Sequence, residues 1–185
     1  PPVAEQRPFE VRAPHGTRVD EYYWLRDDSR TREDVLAYLR AENAYKDAAL
    51  APQAELQERL YAEIVGRIEP EDASVPYRDR GHWYWWRYSA GQEYPVHLRR
   101  RDRPDAAEEV LLDENERARD REFFELGAME VSPDNRLLAW AEDTVGRRQY
   151  VLRFKDLTDG TLLPDVIENV EAAIAVASKQ VVVGV

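Results

Sequence analysis

The sequence contains no cysteine. That absence excludes disulfides, thiolate metal sites and a cysteine nucleophile together, and it fits a reducing compartment. No run of about 18 apolar residues is present, so no stretch reads as a membrane-spanning helix. The amino-terminal stretch PPVAEQRPFEVR lacks a basic head followed by an apolar core, so it does not read as a secretory signal, and a cytoplasmic location is expected. Basic charge is in deficit: 26 Lys+Arg stand against 37 Asp+Glu, a net charge of -11. Such a surface repels a phosphate backbone and an anionic membrane, so neither nucleic acid nor membrane is an expected partner.

Motifs for chemistry are equally sparse. A nucleophilic serine of an α/β-hydrolase sits in a G-x-S-x-G elbow, which exposes the hydroxyl beside oxyanion-stabilising N–H groups. Ser29, Ser74, Ser89, Ser132 and Ser178 all lie outside such a context; Ser132 in VSPDN and Ser89 in SAGQ read as turn residues. His15, His82 and His97 show no metal-ligand spacing, although His82 and His97 are expected to face each other across a hairpin as packing or surface residues. Single glycines in GRRQY and TDGTLL make turns and no phosphate loop. Acid pairs such as Asp27-Asp28 and Glu108-Glu109 read as solvated loop residues. The residues therefore assign no catalytic, cofactor-binding or metal-binding position, leave substrate contacts unknown, and call for no cofactor.

What is present is the composition of a folded protein: 185 residues, 43% hydrophobic and 10% aromatic. The chain divides near Pro70. Before it, Val35, Tyr38, Leu39, Glu42, Tyr45 and Ala49 share one side of a helix, with Glu42 the polar exception and Ser29 or Thr31 as the expected cap. Pro52 suits the first turn of a second helix bearing Leu56, Leu60, Tyr61, Ile64, Val65 and Ile68, with Gly66 near its end. Two helices with one apolar face each have little to bury on their own, so residues 1–70 read as a helical arm that packs on something larger.

Residues 71–185 alternate strands and turns. HWYWWRYS, the turn AGQ, EYPVHLRRR and EEVLLD follow a first strand in SVPYRDRG, and the plan repeats with GAMEV, SPDN, RLLAWAED, a turn at Gly146, QYVLRFKDL, TDG and TLLPDVI. The repeat aligns Trp86 with Trp140 and Tyr94 with Tyr150, a period of roughly 50 to 55 residues that suits four-stranded propeller blades. Blade one is expected over about 74–113, blade two over about 127–168, and the start of blade three over about 170–185. The expected fold is mainly β with an amino-terminal helical arm: an incomplete β-propeller, because a closed ring takes about four to eight blades.

In GHWYWWRYSAGQEYPVH, strand alternation sends His82, Tyr84, Trp86 and Tyr88 to one face and Trp83, Trp85 and Arg87 to the other. Rings on both faces suit a blade sandwiched between neighbours better than an open carbohydrate- or peptide-binding platform, which carries rings on one face.

HGTRVDEYYWLRDD, His15 to Asp28, resembles the amino-terminal signature of the prolyl oligopeptidase family of serine peptidases. ENAYKDAALAP, LQERLYAEIVGRI, SVPYRDRGHWYWWRY, GQEYPVHLRR and EEVLLD resemble its oligopeptidase B group, and the likeness runs in order from Arg12 to Glu171. The resemblance implies a seven-bladed propeller covering an α/β-hydrolase domain, an arm that packs on that domain, and cleavage of short peptides after Arg or Lys. The expected partners are thus short basic peptides and a carboxyl-terminal hydrolase domain. The family's Ser-Asp-His triad lies outside the matched segment, so no catalytic residue carries over, and the chain alone is expected to be inactive. The tail EAAIAVASKQVVVGV departs from the family in having no aromatic residue, and with the start at PP it suits a fragment. A non-enzymatic interaction module pairing an open blade edge with another chain is the alternative.

Overall fold

Short polar turns between β-prone segments, and one long stretch of good helix formers, set the local structure. The computed structural model describes residues 1–177 and 180–183, with side chains described as far as Val176. The chain forms two compact units, Pro1–Ile68 and Glu69–Val185.

The first unit opens with a hairpin of β1 (Phe9–Ala13) and β2 (Gly16–Asp20), paired antiparallel from Phe9↔Asp20 to Ala13↔Gly16. One 3-10 turn at Tyr23–Leu25 leads to α1 (Glu33–Leu50) and α2 (Ala54–Val65). The α1 cap differs from expectation. Arg32 occupies the N-cap without a side-chain bond. The Ser29 hydroxyl instead donates to Asp27 Oδ1 at 2.6 Å, and Asp27 Oδ2 accepts the Arg32 N–H at 2.8 Å. Asp27 therefore organises the approach to the helix that Ser29 or Thr31 was expected to cap. Pro52 falls in a 3-10 turn, Ala51–Gln53, ahead of α2 rather than inside it.

Trp24 anchors this unit. Its indole N–H donates to the Glu5 carbonyl at 2.8 Å, and the Arg7 guanidinium lies 4.2 Å from its ring centroid. Asp34 accepts from both Arg7 and Arg32 at 2.7 Å. Glu42, the polar exception on the α1 face, accepts from the Tyr38 hydroxyl. Val35 is the buried residue of α1, and α2 has none: Leu56, Leu60 and Ile64 are 44%, 48% and 60% exposed. The apolar face read from the sequence is thus present and uncovered among the described residues.

The second unit begins with a strand position split into β3 (Asp72–Ala73) and β4 (Tyr77–Asp79), both paired with β5 (His82–Tyr88). Pro76, which has no N–H for the ladder, lies in the gap. Ser74 bridges it, donating its N–H to the Trp86 carbonyl and accepting the Trp86 N–H on its hydroxyl, each at 3.0 Å. Arg80 and Gly81, with φ of 41° and 77°, form the two-residue turn into β5, a geometry that suits a right-twisted hairpin. β6 (Val96–Arg101) and β7 (Glu108–Asp113) complete the sheet in the order β3-β5-β6-β7. A short helix, α3 (Glu114–Ala118), follows, capped by the Asp113 carboxylate on the N–H groups of Asn115 and Glu116.

The second sheet has β8 (Glu125–Val131), β9 (Leu137–Asp143), β10 (Tyr150–Asp156) and β11 (Leu162–Val170), ordered β11-β10-β9-β8 and antiparallel throughout. A hairpin of β12 (Ile174–Ala177) and β13 (Gln180–Val183) comes next. The remaining tail positions of the expected third blade, 178–179 and 184–185, lie outside the described residues.

Two apolar layers hold these sheets face to face. One joins Tyr84, Leu111 and Leu112 of the first sheet to Val131, Leu138 and Trp140 of the second. The other lies on the opposite face of the second sheet, where Ala139, Ala141, Leu152 and Phe154 meet Ile174 and Val176. Strand alternation along β9 supplies both: Leu138 and Trp140 to one side, Ala139 and Ala141 to the other. The architecture is mainly β with an amino-terminal helical segment, a partial β-propeller whose sheets do not close into a ring among the described residues.

Candidate functional site

The seam between the first two sheets concentrates the polar chemistry of the second unit. Asn135, in the β8–β9 turn, has φ of 62°, a left-handed conformation that asparagine tolerates. Its Oδ1 accepts from the Tyr84 hydroxyl at 3.1 Å, its Nδ2 donates to the Arg80 carbonyl at 3.1 Å, and its own carbonyl accepts from Arg99 Nη1 at 3.1 Å. Arg99 is 4% exposed and donates through Nε to Glu109 at 2.8 Å. Lys155 reaches back from the second sheet to the carbonyls of Val110 and Leu111, both at 3.1 Å. Burial pushes the Tyr84 phenol above its ordinary value against the opposing pull of Arg99, so the ring acts as a neutral donor near neutral pH. A cavity of about 570 Å3 opens along this seam.

A second polar centre lies under Trp140. Glu142, 1% exposed, accepts from Arg117 through both oxygens, from Arg153 at 2.7 Å, and from the Trp140 indole at 2.9 Å. Burial pushes its carboxyl up, and the two guanidiniums with the indole more than reverse that, leaving it below the ordinary glutamate value. Next to it in sequence, the fully buried Asp143 accepts four backbone N–H bonds, from Val145, Gly146, Arg147 and Arg148. Burial opposes its ionisation, and the four donors outweigh it, so this carboxylate also stays below its usual value and organises the β9–β10 turn.

The residues weighed from sequence are scattered. Ser132 donates to Asp134 at 2.6 Å and accepts from the Leu137 N–H, as a turn residue does. Ser89 accepts a turn bond from the Gln92 N–H. Ser178 lies outside the described residues. His82 and His97 do not face each other: the hairpin register pairs His82 with Arg101 and Trp86 with His97. His97 instead meets the buried Glu114 at 2.6 Å. Among the described residues no group of three His, Asp or Glu side chains is placed to hold a metal ion. Of the aromatic stretch, Tyr84 is buried in the seam and stacks on Tyr77 at 5.4 Å, while Trp83, Trp85 and Trp86 are half-buried.

Sequence reasoning passed over Arg99, Asn135, Glu142 and Lys155. A signal was available for Glu142, since it continues the inward phase of Leu138 and Trp140, where a charge needs partners. Asn135 and Lys155 gain their roles only when turns and strands of different blades meet.

A family model described as the N-terminal β-propeller domain of prolyl oligopeptidase matches residues 1–177. The chain is 51% identical to the dipeptidyl aminopeptidase BI of Pseudoxanthomonas mexicana over 92% of its own length and 26% of that protein's. It is 32% identical to protease 2 of Moraxella lacunata, over 91% of this chain and 25% of that protein. Among solved structures, oligopeptidase B of Leishmania major superposes with a TM-score of 0.80 at 29% identity, over 94% of this chain and 27% of the other. Oligopeptidase B of Trypanosoma brucei, in a closed form with covalently bound antipain, gives 0.78 at 29% identity over 94% and 26%. The chain therefore spans about a quarter of the length of the relatives it matches. With both the matched segment and the stacked sheets in agreement, this chain belongs to the prolyl oligopeptidase family, in which it corresponds to the N-terminal β-propeller segment.

Proposed function

We propose that this chain serves as the amino-terminal arm and opening blades of a serine peptidase, where the propeller limits access to short, flexible peptides. The observation that carries the reading is the match of residues 1–177 to a propeller segment that is one quarter of each relative, in a sequence without a nucleophile elbow. On this reading the hydrolysis is performed by a carboxyl-terminal α/β-hydrolase domain, and the chain contributes walls and docking surface. The uncovered apolar face of α2 suits packing on that domain. The cysteine-free sequence supports a cytoplasmic enzyme.

The substrate reading is cleavage after Arg or Lys, supported by the two oligopeptidase B superpositions. The acidic balance of the chain suits attraction of basic peptides. A second reading, release of dipeptides from a free amino terminus, is supported by the 51% identity to a dipeptidyl aminopeptidase.

The test assays the 185-residue chain and the longer polypeptide proposed here, each with a serine-reactive probe. Two chromogenic amides are used, one amino-blocked and ending in Arg, the other an unblocked dipeptide. The chain alone is expected to take no label and turn over neither substrate; turnover by it overturns the proposal. Cleavage of the blocked Arg amide by the longer form supports the first substrate reading. Cleavage confined to the unblocked dipeptide amide replaces it with the second.

A further inference from the structure

A second cavity, of about 230 Å3, lies where the split first strand of the second unit meets β5. β4, β5 and β6 supply Tyr77, Trp86 and His97 to its wall, β7 supplies Leu111, and β8 of the next sheet supplies Met129. Among the described residues no Lys, Arg, Asp or Glu lines it, so the wall is made of rings, aliphatic groups and a thioether, with one imidazole. Val75 and Tyr77 are exposed, which places the mouth of the cavity at the gap between β3 and β4.

The imidazole is held in one orientation and keeps one nitrogen free. Its Nε2 meets the buried Glu114 at 2.6 Å. A carboxylate only accepts, so this contact puts the N–H on Nε2, and the neutral ring carries a lone pair at Nδ1. Glu114 is not part of the cavity wall, so Nε2 is turned away from the cavity and Nδ1 is the ring nitrogen left to it. Nδ1 has no partner among the described residues, where no side-chain nitrogen is both buried and unpartnered, so it remains accessible. Tyr84, which also lines the cavity, directs its hydroxyl to Asn135.

Size and chemistry together define an occupant. An apolar cavity of roughly 150 Å3 takes a benzene-sized ring, whereas drug-sized ligands need about 300 Å3 or more. This cavity falls between the two, with room for one substituted ring and no charged group to neutralise a charge on the ligand. We propose that it binds a small neutral phenol, its ring packed against Tyr77, Trp86 and Met129 and its hydroxyl donating to His97 Nδ1. Such an occupant touches both sheets, so its binding stabilises the junction of the first two blades.

Isothermal titration of the 185-residue chain with p-cresol and with 4-fluorotoluene tests the site, at about pH 8, where an imidazole is ordinarily neutral. The two ligands have nearly the same shape, and only the first has a hydrogen to donate. Cresol is expected to bind saturably with one site per chain, about tenfold more tightly than 4-fluorotoluene, the difference one hydrogen bond makes. The paired replacement His97→Phe with Glu114→Leu leaves no buried charge unpartnered, and is expected to erase that preference while retaining ring binding. Met129→Phe narrows the cavity without touching the imidazole and is expected to weaken both ligands about tenfold. Circular dichroism checks the fold of each variant, and the Met129→Phe arm stands if the paired replacement fails to fold. No saturable cresol binding, 4-fluorotoluene binding as tightly as cresol to the parent, a cresol preference that survives loss of His97, or undiminished cresol binding by Met129→Phe overturns the proposal.

Discussion

The Tyr84 hydroxyl donates to Asn135 Oδ1 at 3.1 Å across 51 positions of sequence, joining the aromatic strand of the first blade to the first turn of the second. The contact is not isolated, because the same asparagine donates to the Arg80 carbonyl and accepts from Arg99. One turn residue thus fixes the spacing of two sheets, and its removal tests how firmly they are joined.

Asn135→Ala removes two side-chain partners and places a Cβ-bearing residue without a compensating amide at φ of 62°. A loss of about 1–3 kcal/mol is expected by urea denaturation. Asn135→Gly tolerates the backbone angle and separates strain from lost hydrogen bonds. Tyr84→Phe combined with Asn135→Ala is expected to cost less than the sum of the single changes, since the two share one bond. Full additivity contradicts this account of the seam.

Glu142→Leu leaves Arg117 and Arg153 without their shared carboxylate and is expected to destabilise by about 3 kcal/mol at neutral pH. The folded-state carboxyl lies below its ordinary value, so its contribution is fully present above about pH 4.3 and is lost as pH falls through the lowered value. Denaturation of the parent and Glu142→Gln at pH 7 and at pH 3 is expected to show the gap narrowing in acid. A gap that widens refutes the assignment.

Gly127→Ala is expected to cost about 1–3 kcal/mol through overpacking. A Cβ at position 127 meets the Tyr150 ring at 2.5 Å and the Ala172 Cβ at 2.9 Å, so a buried aromatic ring and the next segment must both yield. Tyr150→Leu in the same background is expected to recover part of the loss in thermal unfolding, which an effect of backbone entropy alone does not predict.

Asp34 provides an acid-sensitive clamp in the first unit. The Arg7 hydrogen bond, followed by that of Arg32, brings its carboxyl down to about 2. Its stabilisation is present above the ordinary aspartate value of about 3.9 and fades as pH drops toward the lowered one. Arg7 sits on Trp24, so indole fluorescence is expected to report release of the clamp over that acid interval. Asp34→Asn is expected to flatten the response, and an unchanged titration argues against the clamp.

Much of the fold was legible because it rests on local rules. The turns at SAGQ, SPDN and Gly146 and the period-two alternation of RLLAWAED follow from backbone sterics and side-chain direction, which neighbouring residues largely determine. The α1 cap was misread because the Asp27 carboxylate, five positions upstream, takes the Arg32 N–H while the Ser29 hydroxyl donates to that same carboxylate, a relay that residue preference at the cap does not reveal. The expected His82–His97 pairing failed by register: the SAGQ turn sets His82 against Arg101, a geometric result that counting apolar residues does not supply.

By itself, the sequence determined the two amino-terminal helices, the alternation of strands and turns after them, the lack of a nucleophile elbow and the family likeness, since each lies in local spacing or in ordered blocks of residues. Only the tertiary structure decided that Tyr84 faces the second blade, that Glu142 gathers two arginines and an indole, and that Lys155 shares a cavity with Arg101 and Arg136. Those relationships join residues tens of positions apart. They depend on sheet twist, register and the burial of charge at a contact that exists only once the sheets stack.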